Sequence, residues 1–438
     1  MDAHEQRGSG MDTMRSRLDP RWPGTVLRWT CVVLGLALVG CASPRLDAPP
    51  ALFSAAAPVD FPVDVRFLST DRASVEARSA AALQRLKASS KDGRLQALVL
   101  SGGGAGGAFG AGALIGLSRR HERPQYDVVT GVSTGALIAP YAFLGSDWDP
   151  QLSEAFTSGQ AEPISVRGLL TLPLGASRRS AALAALVDHY VTRDLIEAVA
   201  REARRGRLLW VATTDLDREE TVIWDLGAIA MRGGEPARKL FRDVVVASAS
   251  IPGVFEPVLI HVQQGGRSYD EMHVDGSAST SLFIAPAAAY FALLDQHSLE
   301  GAQVYVLING QIVDAPATTP FKLRPIVART FSVALKHMSR AEVVGVNQFA
   351  EKYRMAVRTT YLPFDYPRYS LTDFRASTMR PLFEYGARCA ENARLWTTLD
   401  DTLAAAVEAA PPPKGSSPAN QEVECPLRSA QFTAADRR

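Results

Sequence analysis

Two short apolar runs, each ending in a glycine-flanked turn that leads into a helical segment, lie back to back between residues 95 and 135. They constrain the fold more than any other feature of the chain. The first runs Leu98-Val99-Leu100 into Ser101-Gly102-Gly103-Gly104-Ala105-Gly106-Gly107. The second runs Asp127-Val128-Val129-Thr130 into Gly131-Val132-Ser133-Thr134-Gly135. A run of Val and Leu without polar alternation suits a strand buried on both faces. When strand, turn and helix repeat in series, the strands are parallel and the helices cross over between them. Similar runs at 95–100, 127–130, 208–213 and 304–308 alternate with Ala- and Leu-rich helical stretches. The expected fold class is therefore α/β, a three-layer sandwich with a mostly parallel central sheet.

The spacing Gly131-x-Ser133-x-Gly135 suits a sharp strand-to-helix turn, where small neighbours leave room and the serine hydroxyl is pushed out at the mouth of the sheet. Ser133 is the candidate nucleophile. The pattern alone arises by chance about 0.2 times in a chain of this glycine and serine content, so its position after a buried strand carries the weight. The earlier glycine turn enters a helical segment at 108–120 and aims several backbone N–H groups at one point near the positive end of the helix dipole. That point suits an anion, either the oxyanion of an ester under attack or a dinucleotide pyrophosphate. Gly102-x-Gly104-x-x-Gly107 has the dinucleotide spacing, but that chemistry needs an acidic residue at the end of the next strand. Asp127 begins its strand, and Gly131-Val132-Ser133 occupies the end. A third reading makes both clusters plain packing turns, which does not account for two adjacent turns of this kind.

A serine nucleophile needs a proton acceptor. Of the histidines, His4 falls in a leader segment and His121 in a charged loop. His189, His261, His297 and His337 lack both an adjacent Gly or Pro turn and an evident acidic partner at a strand end. Asp275, in Tyr269-Asp270-Glu271-Met272-His273-Val274-Asp275-Gly276-Ser277, closes a half-apolar run just before a glycine. From the dipeptide alone an ordinary Asp-Gly turn is the better reading.

Taken together and in order, the turn at Gly102, Gly103, Gly104 and Gly107, the elbow at Gly131, Ser133 and Gly135, and Asp275-Gly276-Ser277 resemble the motifs of patatin-like acyl hydrolases and phospholipases. The stretch 247–258 resembles the helix end and proline turn that precede the aspartate in such proteins, and Leu382-Phe383-Glu384-Tyr385-Gly386 resembles a late helix of bacterial members. The likeness spans about residues 95 to 395. It implies a patatin-like fold, Ser133 as nucleophile, Asp275 as its direct base without a catalytic histidine, and oxyanion donors from the turn of Gly102, Gly103 and Gly104. It implies neither cofactor nor metal, and a fatty acyl ester of a phospholipid, lysophospholipid or related lipid as substrate. The chain departs from the pattern in three places. Gly106 stands where Arg or Lys is frequent, Ser277 where Gly or Ala is usual, and Pro140 lies inside the helix that follows Ser133, where it is expected to end or kink that helix early. Two other functions fit the same residues: a histidine-dependent carboxylesterase of the α/β-hydrolase kind, in the order Ser133, Asp275, then His297 or His337, and a lipid-binding lipoprotein without turnover.

Ahead of this region, Arg15, Arg17, Arg21 and Arg28 precede an apolar run at 29–40 that is too short to span a membrane. Leu38-Val39-Gly40-Cys41 resembles a bacterial lipobox, which would make 1–40 a signal peptide and leave Cys41 as a residue carrying acyl chains such as palmitate. An ordinary secretion signal ending at Ala42 or beyond is the alternative. With Ala42 after the cysteine, the expected place is the cell envelope, at the periplasmic face of the outer membrane rather than the inner. Residues 41–92 read as a Pro/Ala-rich tether and a leading amphipathic helix at 71–87, 93–405 as the catalytic domain, and 406–438, with Pro411-Pro412-Pro413, as a disordered tail. Residues 169–175 read as a rim loop or a buried loop. Cys389 and Cys425 remain as a disulfide or as two free thiols. A net charge of +1 without a basic stripe gives no nucleic-acid surface, and no zinc or calcium spacing is present. The sequence leaves the oligomeric state open.

Overall fold

The computed structural model describes residues 45–46, 56–89, 94–166, 172–287, 289, 297, 299–313, 316–398 and 423–426. The chain enters through strands β1 (Ala57–Pro58) and β2 (Arg66–Leu68) and helix α1 (Arg72–Ser89). Two strand–turn–helix units follow: β3 (Gln96–Leu100) with α2 (Gly107–Arg119), then β4 (Val128–Val132) with α3 (Thr134–Leu144). Helices α4 (Asp149–Thr157), α5 (Leu172–Tyr190) and α6 (Arg193–Arg204) lead to β5 (Leu208–Asp215) and β6 (Glu220–Asp225). After α7 (Leu226–Arg232) and α8 (Gly234–Ser248) comes the hairpin β7 (Val258–Gln264) and β8 (Arg267–Asp275). The last elements are β9 (Gln303–Gln311), α9 (Leu323–Lys352), β10 (Ala356–Leu362) and α10 (Ala376–Glu391).

The strands form one mixed 10-stranded sheet in the order β1-β7-β8-β5-β4-β3-β9-β10, with β6 on β5 and β2 on β6. Strands β10, β9, β3, β4 and β5 are parallel. This core contains all four strands expected from sequence, and every residue of β4 and β5 is buried, as parallel strands covered on both faces require. An antiparallel wing completes the sheet. Its β7–β8 hairpin turns on Gly265 and Gly266, both at positive φ (56° and 78°), as the twist of a two-residue hairpin loop demands.

Two features of the wing and core place the chemistry. In the parallel core, Val132 pairs with Ala212 and Leu100 with Gly131, so the turns after β3 and β4 emerge at the same edge. In the wing, β8 meets β5 only at their tips, Thr213 opposite Asp275. The end of β8 therefore arrives over the tip of β5, beside the turn that ends β4.

Helix α10 covers α2 at backbone distance. A Cβ on Gly112 would fall 1.9 Å from the carbonyl oxygen of Phe383, and one on Gly386 would fall 2.2 Å from that of Phe109. This reciprocal close packing accounts for the glycine in the Leu382–Gly386 stretch. Cys389 at the end of α10 is bonded to Cys425, Cα atoms 5.4 Å apart. The segment 423–426 is docked there: Tyr385 Oη donates to the Glu424 carbonyl at 2.7 Å, and Cys425 is buried. Four residues within the stretch read as a disordered tail are thus fastened to the fold.

Three local expectations fare differently. Pro140 does not end its helix, which runs to Leu144 with nearly every residue buried, so packing outweighs the lost hydrogen bond. Of the supposed rim loop, residues 169–171 lie outside the described residues, while 172–175 open α5. The leader at 1–40 with its lipobox, Cys41, the tether residues 47–55 and the tail residues 406–422 and 427–438 also lie outside the described residues.

Candidate active site

Ser133 sits between β4 and α3 with φ 54° and ψ −122°, a conformation costly for any residue with a side chain. Its surroundings impose it. A Cβ on Gly131 would lie 2.6 Å from the Gly135 carbonyl oxygen, and one on Gly135 would lie 2.5 Å from that of Leu100. Strand, turn and helix can close this tightly only with glycine at both places. The Ser133 N–H donates to Ser248 Oγ at 3.0 Å, and that hydroxyl donates in turn to the Ala212 carbonyl at 2.7 Å. Ser248, fully buried at the end of α8, thereby pins the strained turn to β5. The strain is held, and the Ser133 side chain is turned toward the end of β8.

In that direction stands Asp275. Ser133 Oγ donates to Asp275 Oδ2 at 2.6 Å across 142 residues of chain, and the Ser277 N–H donates to Asp275 Oδ1 at 2.8 Å. Asp275 is 1% exposed. Burial pushes its carboxyl up from the ordinary 3.8 to about 6, while the hydrogen bonds from Ser133 and Ser277 pull the other way. At neutral pH it is an ionised, poorly solvated and therefore unusually basic carboxylate in contact with a hydroxyl.

The glycine turn lies against both. Ser101 and Asn309 tie it to β9: the Asn309 N–H donates to Ser101 Oγ at 2.8 Å and Asn309 Nδ2 to the Ser101 carbonyl at 2.6 Å. Gly104 has φ 55°, and a Cβ there would meet the Leu371 carbonyl oxygen at 2.1 Å. The turn then winds into α2, which Gly107 begins. Not every amide of the turn is available to a substrate. The Gly102 N–H donates to the Ser281 carbonyl at 2.9 Å, so the expectation that Gly102 supplies a donor does not hold. Gly103 and Gly104 donate to no acceptor among the described residues, nor does Thr134, the first residue of α3. Gly276 packs its Cα against the Ala212 carbonyl and turns the chain from β8 toward Ser277.

Residues 98–288 match the family model described as patatin-like phospholipase. This span holds both glycine turns, Ser133, Ser248 and Asp275. Residues 98–288 are a patatin-like phospholipase domain. The domain is of the lipid acyl hydrolase class. No curated protein sequence matches the chain. Among solved structures, the chain is similar to VipD from Legionella pneumophila at 14% identity, over 69% of this chain and 67% of that one, with a TM-score of 0.31. It is similar also to the human GIVD cytosolic phospholipase A2 at 11% identity, over 78% and 66% of the two chains, with a TM-score of 0.34. Both superpositions are loose, and the assignment rests on the family match.

No histidine of the patatin-like domain touches Ser133 or Asp275. His261 pairs with Asp270, and His273, wholly buried, lies 3.0 Å from Thr213 Oγ1 through Nδ1. His297 is exposed and 2.6 Å from Glu300. Another cluster of ionisable groups is buried where the tips of β5 and β8 pair. Ligand atoms of Asp215, Glu271 and His273 lie within 4.8 Å of one another. Two arginines pair with its carboxylates. Arg66 donates to both Glu271 oxygens, and Arg218 reaches Glu271 Oε1 at 2.6 Å and Asp215 Oδ2 at 3.2 Å. Burial by itself would raise Glu271, but the hydrogen bond from His273 and the charge and hydrogen bonds of Arg66 hold it far below the usual carboxylate range.

Sequence reading missed Ser248 and Asn309. Ser248 lies within the stretch 247–258 noted for its resemblance, but its contact with Ser133 is 115 residues distant in the chain. Asn309 lies inside β9, one residue beyond the strand expected at 304–308, where the apolar run stops.

Proposed function

We propose that this lipid acyl hydrolase cleaves fatty acyl esters of phospholipids, lysophospholipids or related lipids with a Ser133–Asp275 dyad, held at an envelope membrane by an acylated Cys41. The observation that carries the dyad is the direct 2.6 Å hydrogen bond from Ser133 Oγ to Asp275 Oδ2, with no imidazole between them. Asp275 takes the Ser133 proton as Oγ attacks the ester carbonyl. The electron pair of the carbonyl moves to its oxygen, which the free amides of Gly103, Gly104 and Thr134 stabilise. Each such donor is worth about 3 to 4 kcal/mol at sites of this kind. Collapse of the intermediate expels the alcohol, which leaves with the proton from Asp275. Water, deprotonated by the same carboxylate, then releases the fatty acid from the serine. A base whose proton affinity lies near 6 is ionised at neutral pH yet strong enough to share the proton in the transition state.

Among the described residues, no helix is long and apolar enough to cross a membrane. An acyl anchor at Cys41 supplies the attachment, each buried methylene adding about 0.8 kcal/mol. Mass spectrometry of the mature N-terminus tests it: a diacylated Cys41 supports the anchor, and an unmodified residue at or beyond 42 removes it.

The catalytic reading is tested with a fluorophosphonate probe on wild type, Ser133→Ala and Asp275→Asn. Labelling of wild type alone supports the dyad. A folded wild-type protein that neither labels nor turns over esters favours a lipid-binding role. Full activity in Asp275→Asn, with loss in a variant of His297 or His337, would replace the dyad by a histidine-dependent site.

A further inference from the structure

At the edge of the site lies one more hydroxyl, which the reaction as derived leaves idle. Ser277 follows Asp275 by two residues in the short turn after β8 and is 6% exposed. Its backbone N–H is committed to Asp275 Oδ1, but its Oγ makes no hydrogen bond of ordinary geometry. Its position is set by Gly102. A Cβ built on Gly102 would fall 2.2 Å from Ser277 Oγ and 3.3 Å from Ser133 Cβ. The absent side chain at 102 thus leaves a space in which the Ser277 hydroxyl stands next to Ser133 and against the glycine turn.

A buried hydroxyl without a hydrogen bond of ordinary geometry is less stable than one that is satisfied. An alanine would fill this turn without that cost. Buried unsatisfied groups are few in folded proteins and call for an explanation, of which a partner arriving with the substrate is one. The chemistry here supplies such a partner. When Ser133 attacks, its proton passes to Asp275, whose negative charge disappears while a new one grows on the former carbonyl oxygen beside the glycine turn.

We propose that the Ser277 hydroxyl is a side-chain oxyanion donor that turns onto the tetrahedral oxygen as the charge moves there from Asp275. No bond to Ser277 forms or breaks: the hydroxyl keeps its proton and only redirects it. In the resting site the same hydroxyl lies near enough to the Asp275 carboxylate to help hold the proton off it. This assigns to Ser277 a donor role beside the backbone amides, and it rests on the dyad proposed above.

The test is Ser277→Ala in the full chain, assayed on a soluble nitrophenyl fatty acyl ester, with Ser133→Ala alongside. The hydroxyl's role predicts a fall in kcat of about 10- to 100-fold with KM within about twofold, since the donor acts on charge present only in the transition state. It predicts an acid limb of the pH profile displaced upward, because one group favouring the Asp275 carboxylate is gone. It also predicts a Tm close to that of wild type, because the hydroxyl makes no hydrogen bond of ordinary geometry in the resting fold. An unchanged kcat in a folded Ser277→Ala protein overturns the proposal, as does a fall in kcat matched by a fall in Tm, which would mark Ser277 as structural. If Ser277→Ala does not fold, Ser277→Gly carries the same readouts, and failure of both to fold likewise assigns a structural role. Turnover that survives in Ser133→Ala sinks the dyad itself, whereas Ser133-dependent turnover indifferent to position 277 sinks only the oxyanion donor.

Discussion

Glu271 and Asp275 lie on one strand, on the same face by the two-residue period of β structure, and both are almost wholly buried. Their surroundings drive them in opposite directions. Glu271 is clasped by Arg66 and Arg218 and approached by His273, so its charge is matched and its proton is held off. Asp275 has a hydroxyl and one amide as partners and no cation, and its proton affinity rises to about 6. A buried carboxylate surrounded by cations is part of the scaffold. One given only neutral donors keeps a raised proton affinity, which suits the base role proposed for it. The difference is what lets one strand carry a structural anchor at one end and, under the proposed dyad, a reagent at the other.

The same change, carboxylate to amide, is therefore expected to act oppositely at the two positions. Asp275→Asn should lower kcat by about 10³- to 10⁴-fold, the scale of removing a member of a catalytic constellation. It should leave the fold as stable at pH 8 or more so, because an amide can donate to Ser133 Oγ and accept from the Ser277 N–H without the cost of a buried charge. Kinetics and thermal unfolding on the same preparation check this. A variant that both loses activity and unfolds early would show Asp275 to be structural. Glu271→Gln should do the reverse: stability falls by about 3 to 5 kcal/mol, because two arginines are left buried with an amide between them, while the folded fraction still labels with fluorophosphonate. Loss of labelling in protein shown to be folded would mean that the ion cluster reaches the site.

These two positions also mark how far the sequence could be read. Asp275 stands out only through the order of motifs: alone its Asp-Gly reads as an ordinary turn, and its place after two glycine turns is what resembles the family pattern. Those turns follow from short-range backbone demands, so Ser133 and its flanking glycines stand out in a single pass. The ion cluster was not legible, since Arg66 and Glu271 are 205 residues apart and nothing in the local pattern of either names the other. Ser248 was hidden for the same reason. The parallel core is readable from uninterrupted Val and Leu runs, whereas of the wing only the half-apolar end of β8 is, because β7 mixes polar and apolar residues and the hairpin pairs with the core only at a tip. Gly102 was visible as a member of the turn, but whether its amide was free depended on Ser281, far off in sequence.

A second contrast concerns what fastens the two sides of the domain. The wing is held by buried ion pairs, whereas α10 is fastened by the Cys389–Cys425 bond, which closes a loop of sequence separation 36. Loop entropy places the contribution of such a bond at about 3 to 4 kcal/mol. Cys389→Ala with Cys425→Ala should lower stability by that order, without displacing the acid limb of the pH profile. Unfolding in denaturant, read alongside that profile, separates the two supports. A Cys variant with altered titration at the site would show that α10, through its backbone contact with α2, sets the geometry of the glycine turn.

The smallest expected effect is the pH dependence of stability, and its sign distinguishes the two carboxylates most directly. Asp275 binds its proton more tightly folded than unfolded, so its contribution to stability is fully present below about 3.8 and is lost as pH rises through about 6. Glu271, depressed in the fold, contributes stability above its ordinary 4.5 and loses it only as pH falls toward its much lower folded value. The difference in unfolding free energy between Asp275→Asn and wild type should therefore grow in favour of the variant between pH 4 and 8, by on the order of 2 to 3 kcal/mol. Over the same range wild-type kcat/KM should rise and level off, with its midpoint near 6 and about a tenfold loss at pH 5. If the two stability curves run parallel from pH 4 to 8, Asp275 does not titrate in the fold, and a midpoint near 6 in the rate would then belong to another group.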